Sequence, residues 1–131
     1  MEHPKNWSTL HTLGFLYLTF SYTTDGTLDK REVATMIKRL QRWSPSESPE
    51  AIANIIREVG SWYKLFASED ERRMMASDYA YVLKDELDEV QRSEIVADLA
   101  AIARADGTVS PGELGFIEAM REIFGVGSIS V

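Results

Sequence analysis

Apolar residues recur every three or four positions along most of the chain, and nowhere do apolar and polar residues alternate over enough length to indicate a β-strand. The pattern predicts an all-α fold, a compact bundle of about six helices. The first helix is apolar around so much of its circumference that we expect it to lie centrally. The predicted helices cover approximately residues 8–24, 29–43, 48–66, 69–85, 88–105 and 110–124.

Capping residues mark several of the predicted helix starts. In a capping box, an N-cap side chain and a Glu or Gln three positions later satisfy free backbone N–H groups. Three starts carry this signature: Asp29 with Glu32, Ser68 with Glu71, and Ser110 with Glu113. No Gly or Pro separates the fourth and fifth helices, so the sequence leaves open whether these two are continuous.

The chain contains an internal repeat with an offset of 81 residues. Residues 25–33 align with residues 106–114, and both segments begin with Asp-Gly-Thr and carry a Glu at the eighth position. The match extends into the preceding helices, where Leu18 aligns with Leu99. Each copy therefore reads as an apolar helix, a DGT turn and a capped amphipathic helix.

Length and composition are typical of one soluble globular domain, with 131 residues, 44% apolar and 27% charged. We predict a single domain over residues 1–131, in which units at about 8–67 and 68–126 are related by a pseudo-two-fold axis. The absence of cysteine excludes disulfides and thiolate metal sites and fits a cytoplasmic location. No secretory signal or membrane-spanning stretch is recognisable, so we expect no membrane insertion.

The paired turns are the first candidate for a ligand site. Gly26 and Gly107 are expected to take the left-handed conformation that closes a helix, which is a structural role. Asp25 and Asp106 each follow or end a helix, where a carboxylate meets the negative end of the helix dipole. A positive charge should offset that cost.

A divalent cation such as calcium or magnesium would supply the charge, because hard cations take oxygen ligands. The predicted metal ligands are Asp25, Glu32, Asp106 and Glu113, brought together if the two turns meet across the pseudo-axis. The turn is not an EF-hand loop, since Ser21 and Thr23 would occupy the first and third ligand positions. Alternatively, the turns are purely structural and bind no ion.

That alternative makes the chain a protein-protein interaction module. Residues 69–98 carry ten acids against four bases, whereas the second predicted helix is basic and includes Lys38 and Arg42 as possible interaction residues. The formal net charge of −7 disfavours nucleic acid, because phosphate binding needs clustered Lys and Arg in excess over acids. The sequence does not determine the oligomeric state.

Catalysis is not expected from this chain. Its two histidines are His3, near the N-terminus, and His11, on the aromatic-rich first helix. The sequence lacks an H-E-x-x-H motif and a phosphate-binding glycine loop. Neither histidine has a Glu three positions earlier, as a ferritin-like di-iron centre requires.

Residues 99–114, which read LAAIARADGTVSPGEL, resemble the TerB-like family of bacterial tellurite-resistance and stress proteins. The mark of that family is a helix ending in an A-x-A-D-G-like turn, followed by a capped helix with Glu. The first copy departs from it, because residues 22–26 lack the alanines. The resemblance extends from Leu10 to Gly125 and implies an all-α cytoplasmic domain with metal-binding acids. It also implies a partner that is another protein or a membrane-associated complex.

Overall fold

The chain folds as a bundle of helices. In the computed structural model the described residues are 3–25, 28–105 and 107–127, and of residues 23–25 the backbone alone is described. Helices account for most of these residues and no strand occurs among them, which confirms the all-α prediction. The helices are α1 (Thr9–Asp25), α2 (Lys30–Trp43), α3 (Pro49–Lys64), α4 (Glu69–Glu86), α5 (Glu89–Arg104) and α6 (Pro111–Phe124).

A capping box separates α4 from α5 at the break that the sequence left open. Leu87 has φ −108° and ψ 150°, so the backbone is extended there. The Asp88 side chain accepts a hydrogen bond from the Gln91 N–H at 2.8 Å, and the Gln91 side chain accepts one from the Asp88 N–H at 3.1 Å. The two helices are therefore distinct although no Gly or Pro lies between them.

The central position of α1 is confirmed. It packs against each of the other five helices, and every residue from His11 to Ser21 is buried. Around it, α3 packs on α2, α2 on α5, α5 on α6, and α6 on α4. The buried Thr19 hydroxyl of α1 is satisfied within the helix, because it donates to the Phe15 carbonyl at 2.8 Å.

The apolar spacing in the fourth and sixth helices predicts that Val82 and Leu114 face the core, but both side chains lie on the surface. Val82 is 48% exposed and Leu114 is 47% exposed. In α4 the inward stripe is formed by small and aliphatic residues such as Ala80 and Leu83, and Val82 points about 100° away from Leu83. In α6 the capping Glu113 takes the buried position next to Leu114, because its carboxylate folds back onto the helix start.

A fully buried carboxylate, Asp98 of α5, joins three helices. It accepts hydrogen bonds from the Tyr17 hydroxyl (2.5 Å to Oδ2), the Trp43 indole N–H (2.9 Å to Oδ2) and the Arg39 Nε (2.6 Å to Oδ1). Burial raises the pKa of Asp98, and the three hydrogen bonds oppose that rise. The donors replace the water that the carboxylate loses on folding and so fix α1, α2 and α5 relative to each other.

Tyr17 and Asp98 are 81 residues apart, which is the offset of the sequence repeat. Tyr17 and Asp98 therefore occupy equivalent positions in the two repeat units. If a two-fold axis relates these units, two equivalent residues that touch each other lie close to that axis. The packing of α1 on α6 and of α2 on α5 is compatible with the same relation. The internal repeat as a structural symmetry stays a prediction.

We expect Asp98→Asn to lower the free energy of unfolding by about 2–4 kcal/mol. The carboxamide NH2 would replace one of the two accepting oxygens of Asp98, so that a donor group would face another donor. Tyr17→Phe should cost only about 1 kcal/mol, since two donors to Asp98 remain. Urea unfolding followed by far-UV circular dichroism measures both values. Equal losses in the two variants would contradict the central role given to the carboxylate.

Candidate functional site

Two ion pairs show that α2 and α5 run in opposite directions. The Arg39 Nε donates to Asp98 Oδ1 at 2.6 Å. One turn later in α2, the Arg42 Nη2 lies 3.0 Å from the Oε1 of Glu94, which is one turn earlier in α5. Advancing along α2 therefore means moving back along α5.

This register brings the start of α2 to the end of α5. Glu32 lies seven residues before Arg39, and Ala105 lies seven residues after Asp98. At 1.5 Å per residue, each lies about 10 Å along its chain from the Arg39–Asp98 contact, on the same side of that contact. The first glutamate of the repeat therefore lies on the side of the bundle where α5 ends.

The corresponding relation holds between α1 and α6. The rings of Phe20 and Phe116 are 5.1 Å apart between centroids, in an edge-on arrangement. Phe20 lies five residues before the last residue of α1, and Phe116 lies five residues after the first residue of α6. The end of α1 and the start of α6 are therefore neighbours, and this end of the bundle is here named the turn end.

Glu32 and Glu113 flank the turn end and are both 2% exposed. Each occupies the third position of its helix and accepts a hydrogen bond from the N-cap backbone: Glu32 Oε1 from Asp29 at 3.4 Å, Glu113 Oε1 from Ser110 at 2.8 Å. Both capping boxes predicted at these starts are formed. A carboxylate that caps a helix keeps further acceptor positions, so capping does not prevent it from binding a cation.

The other predicted residues of the turns are only partly described. Gly26 and Asp106 lie outside the described residues, as does the side chain of Asp25. Gly107 has φ +91°, a backbone conformation that side chains other than glycine's rarely adopt, as its predicted turn role requires. Within the described part of the chain, no three His, Asp or Glu side chains form a group that could hold a metal ion.

The predicted interaction residues Lys38 and Arg42 line open concave surfaces of α2. A cavity of about 330 Å³ between α2 and α5 is lined by Arg42, Trp43 and three residues of α5. A second, more open cavity of about 420 Å³ is lined by Lys38, Gln41, Arg42 and Pro45, with no residue of α5. Lys38 and Arg42 are exposed, so charge and open space coincide on this surface.

Sequence reasoning missed the residues that hold this surface in place. Trp43 is anchored because its indole donates to the buried Asp98, and Arg42 is anchored by its ion pair with Glu94. The available signal was Asp98 itself, a carboxylate inside the apolar stripe of the fifth helix between Ile95 and Leu99. An acid at such a position requires donors from neighbouring helices.

Ser8, His11 and Glu58 form a chain of contacts that has the composition of a catalytic triad. The Ser8 Oγ lies 2.7 Å from the His11 Nδ1, and the His11 Nε2 lies 3.3 Å from a Glu58 oxygen. However, the Ser8 N–H donates to the same Nδ1 at 3.1 Å, and the His11 N–H donates to the Ser8 Oγ at 3.3 Å. These are the reciprocal bonds of a helix cap at the start of α1, with His in the place of Glu.

Comparison with known proteins identifies the family. The family model described as tellurite resistance protein TerB matches residues 21–131. The chain belongs to the TerB family. No curated protein matches it significantly. Among the described residues of this TerB-family chain, every helix is too short or too polar to cross a membrane.

A solved structure has the same fold as this TerB-family chain. It is a protein of unknown function from Porphyromonas gingivalis W83, 15% identical, with a TM-score of 0.58. The match covers 100% of this chain and 89% of that one. At this identity the likeness establishes the fold alone.

We expect Glu113→Gln to leave the free energy of unfolding nearly unchanged, because Gln accepts the same hydrogen bond from the N-cap. The chain already uses Gln91 in this way at the start of α5. Glu113→Ala should cost about 0.5–1.5 kcal/mol in urea unfolding, because the cap is lost. A Gln variant as unstable as the Ala variant would contradict this account of the cap.

Gly107→Ala should destabilise the protein by about 1 kcal/mol, because Ala resists a positive φ. Nothing lies within 4 Å of a Cβ built at this position, so the cost is a backbone cost. Gly115→Ala, inside α6 and equally open, is the matched control and should stabilise by up to about 1 kcal/mol. Thermal unfolding of both variants measures the difference, and changes of the same sign would contradict it.

Proposed function

We propose that this TerB-family chain is a non-catalytic domain that binds a hard divalent cation at the turn end. The observation that carries the proposal is the helix register, which brings the end of α1, the end of α5, Glu32 and Glu113 to one end of the bundle. Calcium and magnesium are bound by carboxylate and carbonyl oxygens from separate segments, which is what such an arrangement offers.

The electrostatics of α1 support a cation at this end. Each of the other five helices has a basic residue in its last turn, whereas α1 has none and ends at Asp25. A basic residue in that place offsets the negative end of the helix dipole. The end of α1 lacks this compensation from its own sequence, and a bound cation would provide it.

The proposed ligands are the four carboxylates of the repeat: Asp25, Glu32, Asp106 and Glu113. In this proposal the glutamates have two roles, since one oxygen satisfies the N-cap backbone while the carboxylate also faces the cation. A role in stress or tellurite resistance, and a cytoplasmic location, rest on family membership alone.

Calorimetric titration of the chelator-treated protein with calcium, magnesium, manganese and zinc tests the proposal. We expect saturable binding of calcium or magnesium with a Kd of roughly 0.1–1 mM, in the range of weak oxygen-ligand sites. Glu32→Gln/Glu113→Gln and Asp25→Asn/Asp106→Asn should each weaken it by about tenfold or more. The Gln pair keeps both caps, so its effect reports the charge.

Glu71→Gln is the matched control for these variants. Glu71 is also the third residue of a helix, α4, and accepts a hydrogen bond from the Ala67 N–H at 3.0 Å, but it lies outside the paired turns. Its replacement should leave ion affinity unchanged. If no ion gives heat with the unmodified protein, the ion proposal is wrong and the glutamates are helix caps only. Binding of zinc alone would also contradict a hard-cation site.

A further inference from the structure

The outer face of α2 carries a row of positive charge. Arg31, Ala34, Lys38 and Arg42 are all exposed and follow one another at spacings of three or four residues, so they share one face of the helix. We name this row the basic stripe. It contains three bases and no acid, although the chain as a whole has a net charge of −7. Arg31 pairs with Asp29 and Arg42 with Glu94, whereas Lys38 forms no ion pair among the described residues.

The outer face of α4 carries the complementary pattern. Its residues are spaced by three or four positions and alternate between acidic and large apolar side chains. They are Asp70, Met74, Asp78, Tyr81 and Asp85, here named the acidic stripe. Met74 is 68% exposed and Tyr81 is 55% exposed, whereas large apolar residues on most helices of this bundle are buried. Lys84, three residues after Tyr81, is exposed at the edge of this row.

The two stripes carry opposite charges, three bases on one and three acids on the other. At 1.5 Å per residue the basic stripe spans about 17 Å of α2, which is shorter than the span of about 23 Å of the acidic stripe on α4. The two cavities that Arg42 lines offer space for apolar side chains beside the charges. Val90, which is 78% exposed, borders the first cavity and adds apolar surface there.

The stripes lie on helices with different neighbours. The helix α4 packs against α1 and α6, whereas α2 packs against α1, α3 and α5. The anchoring of Trp43 by Asp98 and of Arg42 by Glu94 fixes the groove beside the basic stripe before any partner arrives. A pre-formed groove lowers the entropic cost of association.

We infer that the acidic stripe of one copy of this chain docks onto the basic stripe and the adjoining α2–α5 groove of a second copy. The aspartates contact Lys38 and Arg42, and Met74 and Tyr81 enter the cavities beside Arg42. The contact joins two different surfaces, so the dimer keeps one free acidic stripe and one free basic stripe, and association continues beyond the dimer unless the rotation closes a ring. One helix seated in one groove buries little surface, which gives a weak, concentration-dependent contact.

Sedimentation velocity tests this inference. The unmodified protein should show a rising weight-average sedimentation coefficient between about 10 µM and 1 mM, the range of weak contacts. Lys38→Glu/Arg42→Glu makes the basic stripe acidic, with two acids against Arg31, and Asp78→Lys/Asp85→Lys makes the acidic stripe basic, with two bases against Asp70. Each double variant alone should sediment as a monomer throughout, because both of its stripes then carry the same sign.

An equimolar mixture of the two double variants provides the decisive control. One double variant keeps the original acidic stripe, and the other keeps the original basic stripe. These two stripes carry opposite charges and can meet only in the mixture, so association should return in the mixture alone. Recovery in the mixture also shows that both variants are folded. An unmodified protein that stays monomeric at every concentration overturns the inference and leaves the stripes to a different protein partner. Association of either double variant by itself, or a mixture that stays monomeric, overturns it as well.

Discussion

The buried carboxylate of Asp98 is the constraint on which the arrangement of the helices depends. A charge without water needs donors from several directions, and Tyr17, Arg39 and Trp43 provide them from α1 and α2. Apolar contacts alone tolerate sliding of one helix along another, because hydrophobic attraction is not directional. Hydrogen bonds to a fixed carboxylate do not tolerate such sliding, because they are directional. They therefore set the axial register between α2 and α5.

That register has consequences at both ends of α2. Towards its start, it directs Glu32 to the side of the bundle where α5 ends. Towards its end, it brings Arg42 against Glu94 and opens the groove beside Trp43. The proposed ion site and the proposed docking groove therefore depend on the same interhelical alignment, although neither contains Asp98. A substitution at Asp98 that shifts α2 would therefore alter both surfaces.

Charge is distributed unevenly over a chain that is acidic as a whole. The buried acids are matched within the fold: Glu32 and Glu113 by helix starts, and Asp98 by three donors. The exposed charges segregate instead, with bases along α2 and acids along α4. Fold stability does not require such segregation, because isolated surface charges contribute little. The buried acids therefore serve fold stability or the proposed ion site, and the exposed charges of both signs serve the proposed association.

The sequence by itself determined the helices, because apolar periodicity and capping pairs are local signals that act within a few residues. It also determined the TerB resemblance, since the DGT turn with its downstream Glu is contiguous in residues 106–113. It misplaced Val82 and Leu114, whose exposure depends on which neighbour covers each face. Only the tertiary structure decided that Asp98 meets Tyr17 and Arg39 and that the end of α1 lies beside the start of α6. These relations join residues that are far apart in the sequence, and axial register between helices leaves no trace in local periodicity.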